Sequence, residues 1–229
     1  AIHMVSAWAT ANCISLGQVV VDEKSNEITA IPKLLEILEL QGCLVTIDAM
    51  GCQTAIADKI VDSGADYVLA VKGNQPTLHE GIQEFFLDHL EDDFARVKVS
   101  RHASEEQGHG RDETRTYFVC PVPSDLPDRG RWKQLKAIGI AINDTERDGE
   151  VTSEVRYYIL SQQLSAKKFG EAVREHWSIE NRLHWVLDVV FHDDLMRLRT
   201  DHGPKNMATI KHMAMNLIRG AAGKDSLKS

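Results

Sequence analysis

The sequence predicts an α/β fold: a mixed sheet with flanking helices, and a β-rich insertion placed before a long C-terminal helix. Three observations carry this. Residues 1–95 alternate short apolar strands with amphipathic helices over short connections, as in an α/β domain whose inner sheet is largely parallel. From Arg96 the pattern becomes strand after strand, separated by Gly- and Pro-rich turns, with no helix between them. At Ser165 helix returns, and Glu171–Asp194 reads as one long helix. The expected organisation is a core beginning in 1–95, an insertion over 96–164, the core's C-terminal helices in 165–220 and a tail over 221–229.

Taken in order, Ile2–Thr10 and Ile14–Asp22 read as two strands joined by a short turn. Glu23–Ile28 is polar and turn-like. Pro32 then falls in the first turn of an apolar helix through Leu40, where its missing N–H costs nothing, and Gly42 ends that helix. Cys43–Ile47 is a short, wholly apolar strand of the kind buried on both faces, stopping at Asp48. A helix reaches Asp62 and is closed by Ser63-Gly64. Tyr67–Val71 is a second buried strand, ended by Lys72-Gly73-Asn74-Gln75-Pro76, and a helix follows to about Leu90. Arg96–Ser100, Thr114–Cys120, Leu135–Asn143 and Val151–Ser161 are the strand-like segments of the insertion. Ser165 is placed to cap the next helix. Gly203-Pro204 opens a last helix through Arg219, and Gly220–Ser229 is expected to fray.

The chain has 229 residues, 43% of them hydrophobic and 26% charged, the composition of a globular protein. No apolar run approaches the roughly 20 residues of a membrane span, and no signal peptide opens the chain. Ala1 is not an initiator methionine, so an N-terminal portion is expected to be missing. Cys13, Cys43, Cys52 and Cys120 lack CxxC spacing and read as reduced cytosolic thiols. The formal net charge of -8 argues mildly against a nucleic-acid partner. Its distribution is uneven: Arg96–Lys136 carries nine Lys/Arg against six Asp/Glu, and Arg197–Arg219 five against one. Local basic surfaces on an acidic protein are compatible with that.

Asp48 sits where parallel sheets collect function, at the C-terminal end of an inner strand; the bland reading is a cap for the following helix. Glu180 stands out by its face. At roughly 100° per residue, Val173, Trp177, Leu183 and Leu187 fall within about 60° of it. A carboxylate within an apolar stripe is costly unless paired. An ion pair would explain it, and so would a zinc site built from His176, Glu180 and His184. The Lys72-Gly73-Asn74-Gln75 turn leaves the neighbouring strand at the same rim as Asp48, where Lys72 could meet a phosphate. His109-Gly110-Arg111 is a charged hairpin end, by default solvated.

Longer runs carry a resemblance. Ile2-His-Met-Val-Ser-Ala, Asp22-Glu-Lys-Ser-Asn-Glu-Ile-Thr-Ala-Ile-Pro, Thr46-Ile-Asp-Ala-Met-Gly-Cys-Gln and Asp66-Tyr-Val-Leu-Ala-Val-Lys-Gly-Asn-Gln resemble the DDE transposases of bacterial insertion sequences. So do His109-Gly-Arg and His176-Trp-Ser-Ile-Glu-Asn-Arg-Leu-His-Trp-Val-Leu-Asp. The group is the one that includes the H-repeat-associated proteins, and the similarity runs from near Ile2 to about Arg219.

The resemblance implies an RNase H-like fold and metal-dependent strand cleavage and strand transfer on DNA. Its residue roles follow motif by motif. Asp48 matches the second catalytic, metal-binding acid and Glu180 the third. The first acid belongs to a strand upstream of Ile2, so this chain is expected not to complete the site. It would be a fragment of a longer transposase or the product of a decayed element. Lys72, Asn74, His109, Arg111 and His176 are the implied DNA contacts. The implied cofactor is Mg²⁺ or Mn²⁺, as a two-ion site that forms only with the missing Asp. The implied partners are the element's ends and target DNA. A homodimer is compatible with this, and neither a membrane nor a small-molecule cofactor is called for. The expected location is the bacterial cytoplasm, at the nucleoid. The alternative is a catalytically dead remnant that serves at most as a DNA-binding or interaction module.

Overall fold

The computed structural model describes residues 3–22, 26–108 and 110–221. It is an α/β protein that divides into two compact units, residues 1–39 with 174–229 and residues 40–173. Each is described by itself.

In the first unit, β1 (Met4–Ala9) and β2 (Ile14–Val20) form an antiparallel hairpin, close to the strands expected from the sequence. Helix α1 (Glu27–Glu36) buries Ala30, Ile31, Leu34 and Leu35. It starts and ends earlier than its sequence suggests, and Pro32 lies inside it rather than in its first turn. The proline removes one intrahelical donor, which this buried apolar face offsets. The last helix, α5 (Gly203–Gly220), begins at Gly203-Pro204 as expected. Its Met215 is buried with Leu183 and Val186, and Trp8, Ile179, Leu187, Val190 and Phe191 pack against that cluster.

In the second unit, β3 (Leu44–Ile47) and β4 (Asp66–Val71) are parallel, with α2 (Thr54–Asp62) as the crossover between them. Helix α3 (Pro76–Glu91) follows and buries Leu78, Ile82 and Phe86. Strands β5 (Ser100–Gly108), β6 (Arg111–Pro121), β7 (Ala137–Arg147) and β8 (Glu150–Leu160) are linked as antiparallel neighbours. They join β4 through β8, giving one six-stranded sheet in the order β3-β4-β8-β7-β6-β5. The sheet is therefore mixed, with β3–β4 the single parallel pair among the described residues. A largely parallel inner sheet would need further helical crossovers, and hairpins take their place here.

Two sequence expectations shift in this unit. Strand β3 is an edge of its sheet and is only partly covered, Leu44 being exposed, so it is not buried on both faces. Strand β5 lies at 100–108 rather than 96–100. Its sequence, SRHASEEQG, has little apolar character; its pairing with β6 places it, not its own propensity.

Helix α4 (Ala166–Ile179) begins where Ser165 caps it, the Lys168 N–H donating to Ser165 Oγ at 3.3 Å. Phe169 packs edge-on to Tyr117 and Tyr158, in a buried cluster with Val119, Leu160, Leu164 and Val173. Two glycines permit this close approach. A Cβ at Gly139 would stand 2.8 Å from Phe169, and one at Gly170 2.7 Å from Tyr117. Among the described residues, no helix is long and apolar enough to cross a membrane.

Candidate active site

Because β3 and β4 are parallel, with Ile47 level with Leu69, the turns that begin at Asp48 and Lys72 leave the sheet at one rim. Asp48 is exposed and accepts the Gly51 N–H on Oδ1 at 3.3 Å. It does not cap α2, whose N-cap is Gln53. The loop after Asp48 is anchored from below by Cys52, which is fully buried. Burial pushes the Cys52 thiol up to about 12, so it is an apolar plug rather than a nucleophile or metal ligand. From the neighbouring turn, Asn74 Nδ2 donates to the Ala49 carbonyl at 2.7 Å and Gln75 Nε2 to the Cys52 carbonyl at 3.0 Å. The structure thus places Asp48, Lys72 and Asn74 at one rim, with Asn74 bonded to the residue after Asp48 and Lys72 exposed.

Glu180 belongs to the other unit. The α-helix expected to run unbroken to Asp194 ends at Ile179; Glu180–His184 and Val186–Val190 are π-helical. Glu180 opens the first π segment and is exposed, not enclosed by an apolar stripe. The reason is geometric. Projection at 100° per residue assumes i→i+4 bonding, and i→i+5 bonding turns the chain less per residue. Leu183 and Val186 take the buried positions, while Trp177 and Trp185 are 42% and 44% exposed. π-Helical turns occur frequently at functional sites.

The hairpin and α5 hold this segment. Arg182 Nη1 lies 2.9 Å from Cys13 Sγ. Arg219 donates to the Cys13 carbonyl at 2.8 Å and to the Arg182 carbonyl, with its guanidinium carbon 4.8 Å from the centre of the Trp8 ring. Asn216 completes the clamp: it accepts the Ser15 N–H at 2.9 Å and donates to the Ser15 carbonyl at 2.8 Å.

The remaining candidates are dispersed. Arg111 pairs with Glu113 at 2.6 Å, and Arg115 bridges Glu113 and Glu106, so the hairpin end is an interleaved charge ladder. His176 stands edge-on to Trp177, ring centres 5.4 Å apart. His109 lies outside the described residues. Among the described residues, no three His, Cys, Asp or Glu side chains come together as a metal-binding group, so the His176–Glu180–His184 zinc reading finds no support. Asp48 and Glu180 do fit a hard divalent cation one by one. Each is an exposed carboxylate, and the Gly51 bond is the one hydrogen bond found on either among the described residues.

Comparison with known proteins defines the class. Residues 1–217 match the family described as the transposase DDE domain. The chain belongs to that family. It is 46% identical over 223 residues to the "Putative transposase YncI" of Escherichia coli O157:H7, covering 96% of this chain and 56% of that protein. It is 42% identical over 229 residues to the "H repeat-associated putative transposase YhhI" of Escherichia coli strain K12, covering 95% of this chain and 58% of that protein. The chain therefore spans little more than half the length of these relatives. No solved structure matches it.

Sequence reasoning passed over Gln75, Arg182 and Arg219. Gln75 stood inside the turn already singled out, and Arg219 inside the basic C-terminal stretch. Their partners are backbone carbonyls, which no side-chain motif announces.

Proposed function

We propose that this chain is the catalytic portion of a DDE transposase with an RNase H-like core, which cuts and joins DNA at the ends of an insertion sequence. The observation that supports this best is Asp48. In a chain of this family, it stands exposed at the C-terminal rim of the parallel pair, with an oxygen left to bind a cation. Asp48 and Glu180 supply two of the carboxylates, and a further Asp upstream in the complete protein supplies the third.

Divalent cations held there would activate the attacking oxygen and stabilise the leaving one. The chain's own residues bind and orient. Lys72, at the rim beside Asp48, meets a non-bridging phosphate oxygen as a point charge. Arg111 and His176 contact the backbone elsewhere along the duplex, as does His109. In the first reaction water attacks the phosphorus, a P–O bond forms, and the 3′ oxygen leaves as a hydroxyl. In the second, that hydroxyl attacks a target phosphodiester and a target 3′ oxygen departs. Both are in-line displacements at phosphorus, so one site serves both.

The test is Mg²⁺-dependent nicking of an end-sequence duplex by protein expressed from the complete coding sequence. Asp48→Ala and Glu180→Ala should each lower the rate by at least about 100-fold, the scale of losing a principal electrostatic contributor. Full activity in either variant would remove that residue from the site. A second reading keeps the fold without the chemistry, as a remnant that binds DNA or another protein. It draws on the lack of a three-ligand cluster among the described residues. Intact folding with no Mg²⁺ binding by the complete protein would favour it.

A further inference from the structure

We infer that Asn74 and Gln75 are positioning residues that hold Asp48 in place. This rests on the role proposed above for Asp48.

The Asp48 turn is short and has little to stiffen it from within. Met50 and Asp48 are exposed, and the loop's internal bonds are Gly51 N–H to Asp48 Oδ1, Cys52 N–H to the Ala49 carbonyl at 3.2 Å, Gln53 N–H to the Gly51 carbonyl at 2.9 Å and an exposed one from Gln53 Nε2 to the Met50 carbonyl at 3.3 Å. Strand β3, which delivers Asp48, has only β4 beside it in the sheet among the described residues. A carboxylate at the end of an edge strand, on a loop of this kind, would sample many positions. Catalysis needs one, because a misplacement of about 1 Å can cost 100-fold in rate.

The neighbouring turn supplies the restraint at two points. Asn74 takes the Ala49 carbonyl immediately after Asp48, and Gln75 takes the Cys52 carbonyl where the buried plug enters the core. Gln75 is itself fixed: its N–H donates to the Lys72 carbonyl at 2.9 Å, and its own carbonyl receives the His79 N–H at 2.9 Å in the first turn of α3. The clamp therefore runs from a seated helix, through two amide side chains, to the residue that follows the carboxylate. One of the two N–H donors on Asn74 Nδ2 is committed to Ala49, which turns the amide toward the Asp48 loop. Lys72, two residues earlier and exposed, keeps its charge available.

Asn74→Ala and Gln75→Met delete one donor each. Two measurements read the effect. In the 229-residue chain, amide hydrogen exchange at Gly51 and Cys52 should quicken by about tenfold in either variant, as expected for the loss of one restraining hydrogen bond. Exchange in β6 and β7 should stay unchanged. In protein from the complete coding sequence, kcat for Mg²⁺-dependent nicking should fall by about 10- to 100-fold, with KM for the duplex within about twofold because the bond each variant loses is to the loop.

A raised KM with unchanged kcat would make Asn74 a DNA contact and overturn the inference. So would unaltered kcat and KM, or unaltered exchange at Gly51 and Cys52. Should Asn74→Ala fail to fold, Gln75→Met carries the same expectations and the same refutations. Asp48→Ala run in parallel separates the two levels. If that variant is fully active, the role of Asp48 itself falls; if it is inactive while both clamp variants turn over normally, only the clamp falls.

Discussion

His212 lies buried on α5, and its Nδ1 is 2.7 Å from the Ser15 hydroxyl on β2. Burial pulls the imidazole below its ordinary 6.5; Asp193 opposes that shift and His184 adds to it. The sign for stability follows from linkage. With the folded value depressed, the unfolded chain takes up the proton first, so stability is full above about 6.5 and is lost as pH falls below it. The slope has a ceiling of about 1.4 kcal/mol per pH unit for one proton. In urea titrations between pH 7.5 and 5.5, His212→Asn should lose less stability on acidification than the parent chain. Parallel pH profiles would show that His212 does not titrate against folding. The same single-residue scale explains why the Asp48 loop was only half legible. Asp48 itself shows in the sequence as the acid ending an apolar strand. Its restraints, Asn74 and Gln75, act on backbone carbonyls whose positions exist only once β3 and β4 are paired.

Among the elements, α4 shows how side-chain volume sets packing. Phe169 lies over Gly139, and Gly170 lies against Tyr117, so the helix approaches the β6–β7 strands more closely than any larger residue would allow. Ala at either glycine must displace an aromatic ring in a filled core. Gly170→Ala should destabilise by about 1–3 kcal/mol even though Ala favours helix, because overpacking outweighs the propensity gain of about 1 kcal/mol. Chemical denaturation measures this, and a stabilised variant would mean that Tyr117 moves freely. The start of α4 could be read from Ser165, whose side chain provides a local cap. Its end could not. The residues from Glu180 onward keep an apolar rhythm suited to an α-helix, while Arg219 and the Cys13 turn, contributed by distant parts of the chain, bond to Arg182 and hold a π-helical path.

For the whole molecule, the charge balance bears on the proposed substrate. A net charge of -8 disfavours a DNA partner at long range, and the arginines of the β5–β6 hairpin end are largely matched by Glu106 and Glu113. Binding by the 229-residue chain should therefore be weak and carried by a few unpaired cations such as Lys72. The measurement is duplex affinity against salt. A slope of log affinity on log salt between about -1 and -3 corresponds to a few phosphate contacts. An affinity indifferent to salt would exclude backbone phosphates as the main attachment.

By itself the sequence determined the class of fold, most strands and helices of both units, the family, and which carboxylates are candidates for the chemistry. These rest on hydrophobic period, caps and ordered motifs, all of which act over a few residues. Only the tertiary structure decided that β3 is a sheet edge, that the sheet is mixed with one parallel pair, that Glu180 is exposed at the start of a π-helical turn, and that Asn74 and Gln75 grip the Asp48 loop. Each of these depends on a partner far away in the chain or on a backbone carbonyl without a side-chain signature. Local periodicity records neither.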